Sequence, residues 1–370
     1  MAQPSLRTSD EFRPLRASTL MSMARIPTPA TPEAHGLAAA RAGDEDAFRA
    51  IVDAYRGELH AHCYRMLGSL DDAEDALQET FLRAWRGLGG FAGRSSVRTW
   101  LYRIATNVCL DARRPGRSLP ARSGRPADLN ADPGAPLAES VWVEPYPDDA
   151  FALPDGHAAP DARYEQREAV ELAFVAALQH LSGNQRAVLI LREVLGFSAQ
   201  EVSESLDTSV ASVNSALQRA RKAIAERLPD RSQQEVLRAL GNRGVRTLVE
   251  RYVDAWARGD VDALTRLLAA DAVFSMPPWA MWWRGSDTIA AMAKDAVEIC
   301  ANGHAVPISA NGQPAVAYWA LNDETGRHEA MAIDVLTLEG DRVKEITAFI
   351  NPGLFPRFGL PSELAPPASR

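Results

Sequence analysis

The chain has 370 residues, of which 46% are hydrophobic and 24% are charged, and its formal net charge is −8 at pH 7. This length allows two or three domains, and the acidic balance argues against a protein that binds nucleic acid through bulk charge. Its three cysteines share no metal-ligand spacing and no apolar run reaches the ~18 residues of a membrane span, so we expect a cytoplasmic protein without a disulfide framework, metal, cofactor or membrane partner.

The hydrophobic pattern divides the chain into six segments. Helical periodicity dominates two of them, and a third combines helices with alternating runs such as AVAYWAL and RVKEITAFI. We therefore predict a multidomain protein with two all-α domains followed by an α+β domain. The segments are a disordered extension (1–37), a helical domain (38–114), a linker containing the apolar patch VWVEPYPDD (115–163), a second helical domain (164–230), the α+β domain (236–352) and a tail (353–370).

The stretch LDDAEDALQETFLRAW, residues 70–85, predicts an amphipathic helix with Ser69 as its N-cap. The acids of its first turns complement the positive end of the helix dipole. One face accounts for packing in a core. That face consists of Ala73, Ala76, Leu77, Thr80, Phe81, Ala84 and Leu88.

A second strip of the same helix mixes apolar and charged side chains outside the core face. This pattern is typical of a protein-docking surface, although an ordinary solvated face remains the alternative. The strip consists of Asp75, Gln78, Glu79, Leu82, Trp85 and Arg86.

Residues 93–117 predict a second amphipathic helix in a strongly basic stretch. From Phe91 to Ala127 the single acid is Asp111, against eight arginines, and aromatic residues are interleaved. This composition favours a nucleic-acid surface over a solvated basic helix only in combination with other evidence. The predicted buried stripe is Val97, Leu101, Ile104, Ala105, Val108 and Ala112, and the predicted opposite face is Tyr102, Arg103, Thr106, Arg113 and Arg114.

Residues 181–228 predict a helix-turn-helix unit. Ser182 with Gln185 and Ser198 with Glu201 have capping-box spacing, and helices over 199–206 and 210–228 flank a turn. The N-terminal end of the second helix would enter the major groove, and a plain helical bundle is the alternative. Bases or phosphates would face Ser212, Asn214 and Ser215, and the DNA backbone would face Gln218, Arg219, Arg221 and Lys222.

Together these motifs resemble the extracytoplasmic-function sigma factors. The run from AHCYRMLGSLDDAEDALQ to IATNVCLDARR looks like their region 2, and residues 165–228 look like their region 4. The resemblance implies that the acidic helix docks on core RNA polymerase, that the following loop and helix open the −10 element of promoter DNA, and that region 4 reads the −35 element.

Carried onto this chain, the resemblance assigns three sets of residues. The polymerase contact is Asp75, Gln78, Glu79, Leu82, Trp85 and Arg86. The −10 contact is Arg94, Ser95, Ser96, Arg98, Arg103, Asn107, Arg113 and Arg114, with the loop Phe91–Ser96 holding a flipped base. The −35 contact is Ser212, Asn214, Ser215, Gln218, Arg219 and Arg221.

One departure from the family pattern lies in the second helix of region 4. Where the family often has VKSR, this chain has VNSA, with Asn214 and Ala216 in place of the basic residues. The usual contacts at those two positions are therefore in doubt, and a weaker or different −35 preference is expected.

The α+β domain resembles the NTF2 or SnoaL cone, which a mycobacterial subgroup of the family carries at its C-terminus. We expect it to regulate the sigma factor, while sensing of a small apolar ligand and catalysis remain alternatives; the candidate acids and bases Asp254, Asp334, His304 and His328 form no evident pair. A helix-turn-helix regulator acting without polymerase and a SnoaL-type enzyme tethered to DNA-binding helices are rival functions. The aromatic lining is predicted as Tyr252, Trp256, Phe274, Met276, Trp279, Trp282, Trp283 and Trp319.

Overall fold

The computed structural model describes residues 33–112, 126–128, 142–151, 169–300 and 302–364. Within these ranges, every helix is too short or too polar to cross a membrane. The predicted architecture of two helical domains and a C-terminal α+β domain is confirmed. The first helix begins inside the segment that we predicted to be disordered, and residues 1–32 of that segment lie outside the described ranges.

The first helical domain packs five helices around a core. Ser69 caps the fourth helix, as predicted, by accepting a hydrogen bond from the Asp72 backbone N–H, and Gly68 ends the preceding helix in the left-handed region at φ 78°. The helices are α1 (Glu33–Arg41), α2 (Glu45–Asp53), α3 (Arg56–Leu67), α4 (Leu70–Gly87) and α5 (Val97–Ala112).

The second helical domain contains the predicted helix-turn-helix. Both predicted capping boxes form, since the Ser182 and Ser198 hydroxyls each accept a bond from the third backbone N–H of their helix. Asp207, at φ 48°, makes the turn. The helices are α6 (Leu172–Gln179), α7 (Gly183–Leu189, extended by a π turn over Ile190–Val194), α8 (Ala199–Ser205) and α9 (Val210–Ala225).

The C-terminal domain wraps a curved sheet around three helices. The strand order is β2-β1-β6-β5-β4-β3, with β1 and β6 parallel, the other neighbours antiparallel and β7 paired to β5. The elements are α10 (Gln233–Ala257, broken at Gly241), α11 (Val261–Leu267), β1 (Leu268–Ser275), β2 (Trp282–Arg284), α12 (Ser286–Cys300), β3 (His304–Ala310), β4 (Gln313–Asn322), β5 (Arg327–Glu339), β6 (Arg342–Phe349) and β7 (Glu363–Leu364), with a 3₁₀ helix over Pro352–Phe358 before β7.

Both faces of this sheet are apolar, because side chains alternate along each strand and each face packs on a different partner. Val316, Leu336 and Ile346 point into the cone toward α10, α11 and α12. On the outer face, Ala317 and Ile333 belong to the core that the two helical domains share. The C-terminal domain is therefore built into the helical part of the molecule rather than tethered beside it.

The linker patch that we expected to dock lies against two domains. Residues 142–151 run between α3 and the β3–β4 turn, where Tyr146 is fully buried and packs at a tilt against Tyr64, with ring centroids 4.5 Å apart. The Glu144 backbone N–H donates to Gly68 O (2.9 Å), and its carboxylate accepts from Leu70 N (2.6 Å). This segment thus fills the seam between the first and the C-terminal domain.

Candidate functional site

The predicted docking strip on α4 is an exposed surface around Leu82. This side chain is 50% exposed, and it is the one large hydrophobic side chain that is exposed among the described residues. Asp75, Gln78 and Arg86 are exposed beside it. Glu79 is half-buried and binds Arg83 at 2.7 Å. Five of the six assigned residues therefore lie on this surface.

The sixth residue is Trp85, which is partly covered. Its ring packs on Phe48 of α2 with centroids 5.0 Å apart. The helical wheel placed Trp85 outside the core face of α4, but it could not include a contact from α2. Trp85 therefore contributes to packing within the first domain as well as to the edge of the strip.

The loop that precedes α5 presents a short polar surface. Arg94, Ser95 and Ser96 are exposed, while Phe91 is buried and packs on Trp100 with centroids 4.8 Å apart. The Ser96 hydroxyl accepts from the Thr99 backbone N–H at 3.0 Å. Ser96 thus begins α5, and any DNA contact by its hydroxyl must coexist with that cap.

The face of α5 assigned to the −10 element is partly covered in this arrangement, and Arg98 is among the covered residues. Its side chain is 7% exposed, binds the Glu58 carboxylate at 3.1–3.2 Å and lies over the rings of Tyr102 and Phe197. Arg103 is exposed and Asn107 is half-buried. Arg113 and Arg114 lie outside the described residues.

The prediction of one buried face and one open face on α5 is also wrong in part. Tyr102 and Thr106, assigned to the open face, are 1% and 0% exposed, and Ala112, assigned to the core, is exposed. The physical reason is that two partners cover this face. His62 of α3 bonds the Thr106 hydroxyl at 2.9 Å and packs edge-on against Tyr102, and Phe197 of the second helical domain also packs edge-on against Tyr102, at 5.5 Å between centroids. A helical period describes one buried face and cannot reveal a second one supplied by another helix or domain.

Helix α9 presents all of its predicted reading residues to solvent. Val213, Leu217 and Ala220 face the core, and Ser209 caps the helix by accepting from Ser212 N at 3.1 Å. Ala216 is also buried, so the alanine of the VNSA sequence is a packing residue here. The exposed set is Ser212, Asn214, Ser215, Gln218, Arg219, Arg221 and Lys222, of which Arg221 binds Glu193 at 2.5 Å.

Of the four candidate acids and bases in the C-terminal domain, Asp334 alone lies inside the cone. It accepts a hydrogen bond from the Tyr252 hydroxyl at 2.8 Å, and desolvation by burial raises the pKa of Asp334 to about 6. Asp254 is exposed and binds Arg258 at 2.6 Å. The rings of His304 and His328 lie 6.3 Å apart, on the outer side of the sheet beside Trp319.

Of the eight residues predicted to line the cone, four belong to its inner core and Met276 packs against that core, while Trp279, Trp282 and Trp319 are not part of it. Tyr252, Trp256, Phe274 and Trp283 belong to the inner core of the cone. Trp319 lies on the outer face, where it packs on Phe355 of the 3₁₀ helix, with centroids 4.9 Å apart, and donates to Pro361 O. Trp319 follows the alternation of β4, because Ala315 and Ala317 face the same outer core. The alternating pattern could not show which face of β4 points into the cone.

A three-way junction, which sequence reasoning missed, is centred on Asn311. This residue is fully buried at φ 55° in the β3–β4 turn. Its amide nitrogen donates to Tyr64 Oη (2.9 Å) and to Val170 O (2.7 Å), and its amide oxygen accepts from Tyr146 N (2.8 Å). One side chain therefore joins the C-terminal domain to α3, to the linker patch and to the start of the second helical domain.

The sequence contained a local signal for this turn but none for its partners. Asn311-Gly312 is a typical two-residue hairpin turn. Arginines in the first and second helical domains add direct contacts between them: Arg65 Nε donates to Ala169 O at 3.0 Å, and Arg186 donates to Met66 O. These bonds link residues more than 100 positions apart.

Comparison with known families gives three matches along the chain. The models that match are Sigma-70 region 2 at residues 51–118, Sigma-70 region 4 at residues 171–224 and the SnoaL-like domain at residues 249–346. They follow one another in the same order as the three domains of the structure.

Individual proteins extend these matches over most of the chain. The ECF RNA polymerase sigma factor SigG of Mycobacterium tuberculosis is 44% identical over 331 residues, which cover 88% of this chain and 86% of the relative. SigW of Bacillus subtilis is 33% identical over 51% of this chain and 92% of its own length. The crystal structure of M. tuberculosis SigJ shares the fold, with a TM-score of 0.53 at 21% identity over 84% of this chain and 99% of that chain.

Proposed function

Because this chain belongs to the extracytoplasmic-function family of RNA polymerase sigma factors and is an alternative sigma factor with a SnoaL-like C-terminal domain, we propose that its structure represents a closed, inactive form. In this form the C-terminal domain holds regions 2 and 4 against each other. Release of the two regions would allow the protein to join core polymerase in the cytoplasm and to engage a promoter.

The spacing of promoter elements supports a closed form. Elements at −10 and −35 lie about 25 base pairs apart, which corresponds to roughly 85 Å along B-DNA. Here the two regions touch directly, through Arg65 to Ala169 and Tyr102 to Phe197. Two domains in contact cannot read two elements at that separation, so promoter binding requires them to move apart.

The covered face of α5 supports the same proposal. Phe197 of region 4 packs on Tyr102 and Arg98, on the helix that we propose to contact the −10 element. Separation of the regions would remove Phe197 from Tyr102 and Arg98, while the pairing of Arg98 with Glu58 lies within region 2. The closed form therefore blocks one DNA-binding surface with the domain that carries the other.

The Asn311 junction is the observation that carries the regulatory role. Its buried amide bonds to region 2, to the linker patch and to the entry of region 4, and the loss of a partner would leave buried polar groups unsatisfied. Arg357, after the last long strand, also pairs with Asp71 at the start of α4. The C-terminal domain thus contacts the polymerase-docking helix and the region 4 entry at once.

We assign the remaining surfaces as the sequence analysis predicted. The strip around Leu82 on α4 would bind core polymerase, the exposed Arg94, Ser95 and Arg103 would contact the −10 element, and the exposed face of α9 would contact the −35 element. The cone of the C-terminal domain would hold a small, mainly apolar ligand that shifts the balance between closed and open forms.

An Asn311→Gly variant tests the closed form. Glycine accepts the positive φ but removes all three side-chain hydrogen bonds, so we expect severalfold higher run-off transcription with purified core polymerase. Asn302→Gly is the matched control, because Asn302 also has a positive φ (67°) but its side chain is exposed. Equal transcription by Asn311→Gly, Asn302→Gly and the parent would contradict the proposed regulation.

A further inference from the structure

The interior of the cone contains a carboxylate without a cationic partner. Asp334 projects from β5 toward α10, and no Lys, Arg or His of the described residues lies within ion-pair distance of its oxygens. The ionisable groups that face it are Tyr252 of α10, Cys300 of α12 and Tyr318 of β4, none of which is cationic. A buried, unpaired carboxylate is unfavourable unless something else compensates its charge.

This carboxylate is also reachable. Asp334 retains partial exposure although it belongs to the middle of the sheet and faces α10, so its side chain is accessible from the interior of the cone. Half-buried Met276, Met281 and Met292 pack on the same inner core, and thioether side chains adapt to ligands of different shapes. The space is therefore apolar, adaptable and negatively charged at one point.

Aromatic rings stand beside the charge. Tyr252, which donates to Asp334, meets Trp256 edge-on with centroids 6.4 Å apart. Trp283 is 3% exposed in the same core, and its indole N–H has no hydrogen-bond partner among the described residues. Aromatic faces stabilise a bound cation, and an unpaired buried N–H favours a ligand that can accept a hydrogen bond.

We propose that the cone binds a small apolar amine in its protonated form, with the ammonium group on Asp334 and the apolar body against the aromatic and methionine side chains. The inference rests on the proposed function for its role in transcription, since it names the ligand class of the same cone. A neutral ligand of equal shape would fill the space but leave the carboxylate unpaired, so charge is the basis of selection.

Calorimetric titration of the full-length protein with 2-phenylethylamine and 2-phenylethanol tests this assignment, because the two probes match in size and differ in charge. At pH 7.5 we expect the amine to bind at least about tenfold more tightly than the alcohol. At pH 5 the amine should bind about tenfold more weakly than at pH 7.5, because Asp334 has a pKa of about 6 and becomes protonated. Alcohol binding should not change.

Substitutions identify the carboxylate responsible. Asp334→Asn should remove the preference for the amine and keep the alcohol, while Asp254→Asn, which alters an exposed carboxylate paired with Arg258, should bind like the parent. Equal affinity for the two probes, no binding of either, or an amine preference that survives Asp334→Asn would each overturn the assignment. None of these measurements involves polymerase or promoter, so they fail or succeed independently of the transcription test of Asn311→Gly.

Discussion

Single buried polar residues determine how this molecule holds together and how it responds to pH. Asn311 satisfies polar groups of three segments, whereas Asp334 brings a charge into an apolar cone with one hydrogen-bond donor, Tyr252. The first residue stabilises the observed arrangement of the three segments, and the second is kept at an energetic cost. A costly buried group is a common mark of a functional position.

The unfavourable burial of the Asp334 carboxylate predicts how the free energy of unfolding changes with pH. Burial raises its pKa from 3.8 to about 6, so the native state retains a proton that the unfolded chain releases. The free energy of unfolding therefore falls as pH rises from about 4 to about 6, by roughly 3 kcal/mol for this group. Asp334→Asn should raise the melting temperature at pH 7.5 and have little effect at pH 4.

Thermal unfolding of the parent protein and of Asp334→Asn at pH 4 and pH 7.5 tests this prediction. Asp254→Asn is the control, because its carboxylate is exposed in both states and should give the same small change throughout. A melting temperature for Asp334→Asn that falls at pH 7.5 as much as at pH 4 would contradict the buried, unpaired charge.

At the level of single elements, hydrophobic periodicity predicted the buried side chains correctly where only one face of a helix is covered. The core face of α4 matches its prediction, with Ala73, Ala76, Leu77, Thr80 and Ala84 buried. The period was incomplete on α5, where both α3 and region 4 cover Tyr102, and on β4, where it could not show which face points into the cone. Both outcomes depend on partners that are distant in sequence.

The exposed strip of α4 leads to a prediction about polymerase binding. Leu82→Glu should weaken the complex with core polymerase by roughly 2 kcal/mol or more, since an apolar anchor near the centre of an interface often contributes that much. The fold should persist, because Leu82 is 50% exposed and outside the core face. Affinity measured by fluorescence anisotropy, with circular dichroism for the fold, provides the test.

Ala50→Glu is the matched control, since Ala50 is exposed on α2 outside the strip. Unchanged affinity for Leu82→Glu would remove the strip from the polymerase interface. Trp85→Ala is less suitable for this purpose, because its contact with Phe48 makes it a packing residue as well.

At the scale of the whole molecule, three domains and a linker patch form one closed body with two cores. One core runs through regions 2 and 4 and the outer face of the sheet, and the other fills the cone. The ligand that we propose for the cone would therefore lie one sheet away from the junction that joins the regions. It can shift the balance only if it binds one form more tightly than the other.

The proposed opening has a direct measurement. Fluorophores at cysteines introduced in place of the exposed Arg49 of region 2 and Glu204 of region 4 should show high energy transfer in the free protein. Transfer should fall sharply in the holoenzyme on promoter DNA, where the regions span roughly 85 Å. Equal transfer in the free and promoter-bound states would contradict the closed form.

The amino-acid sequence by itself determined the local structure and the family resemblance. Capping residues such as Ser69, Ser182 and Ser198 act within four positions of themselves, and an amphipathic period reports one buried face, so both are readable along the chain. Only the tertiary structure decided that Arg98 turns to Glu58, that Asn311 joins three segments and that Asp334 is alone inside the cone. Those outcomes depend on contacts between residues 40 to 247 positions apart, which no local pattern encodes.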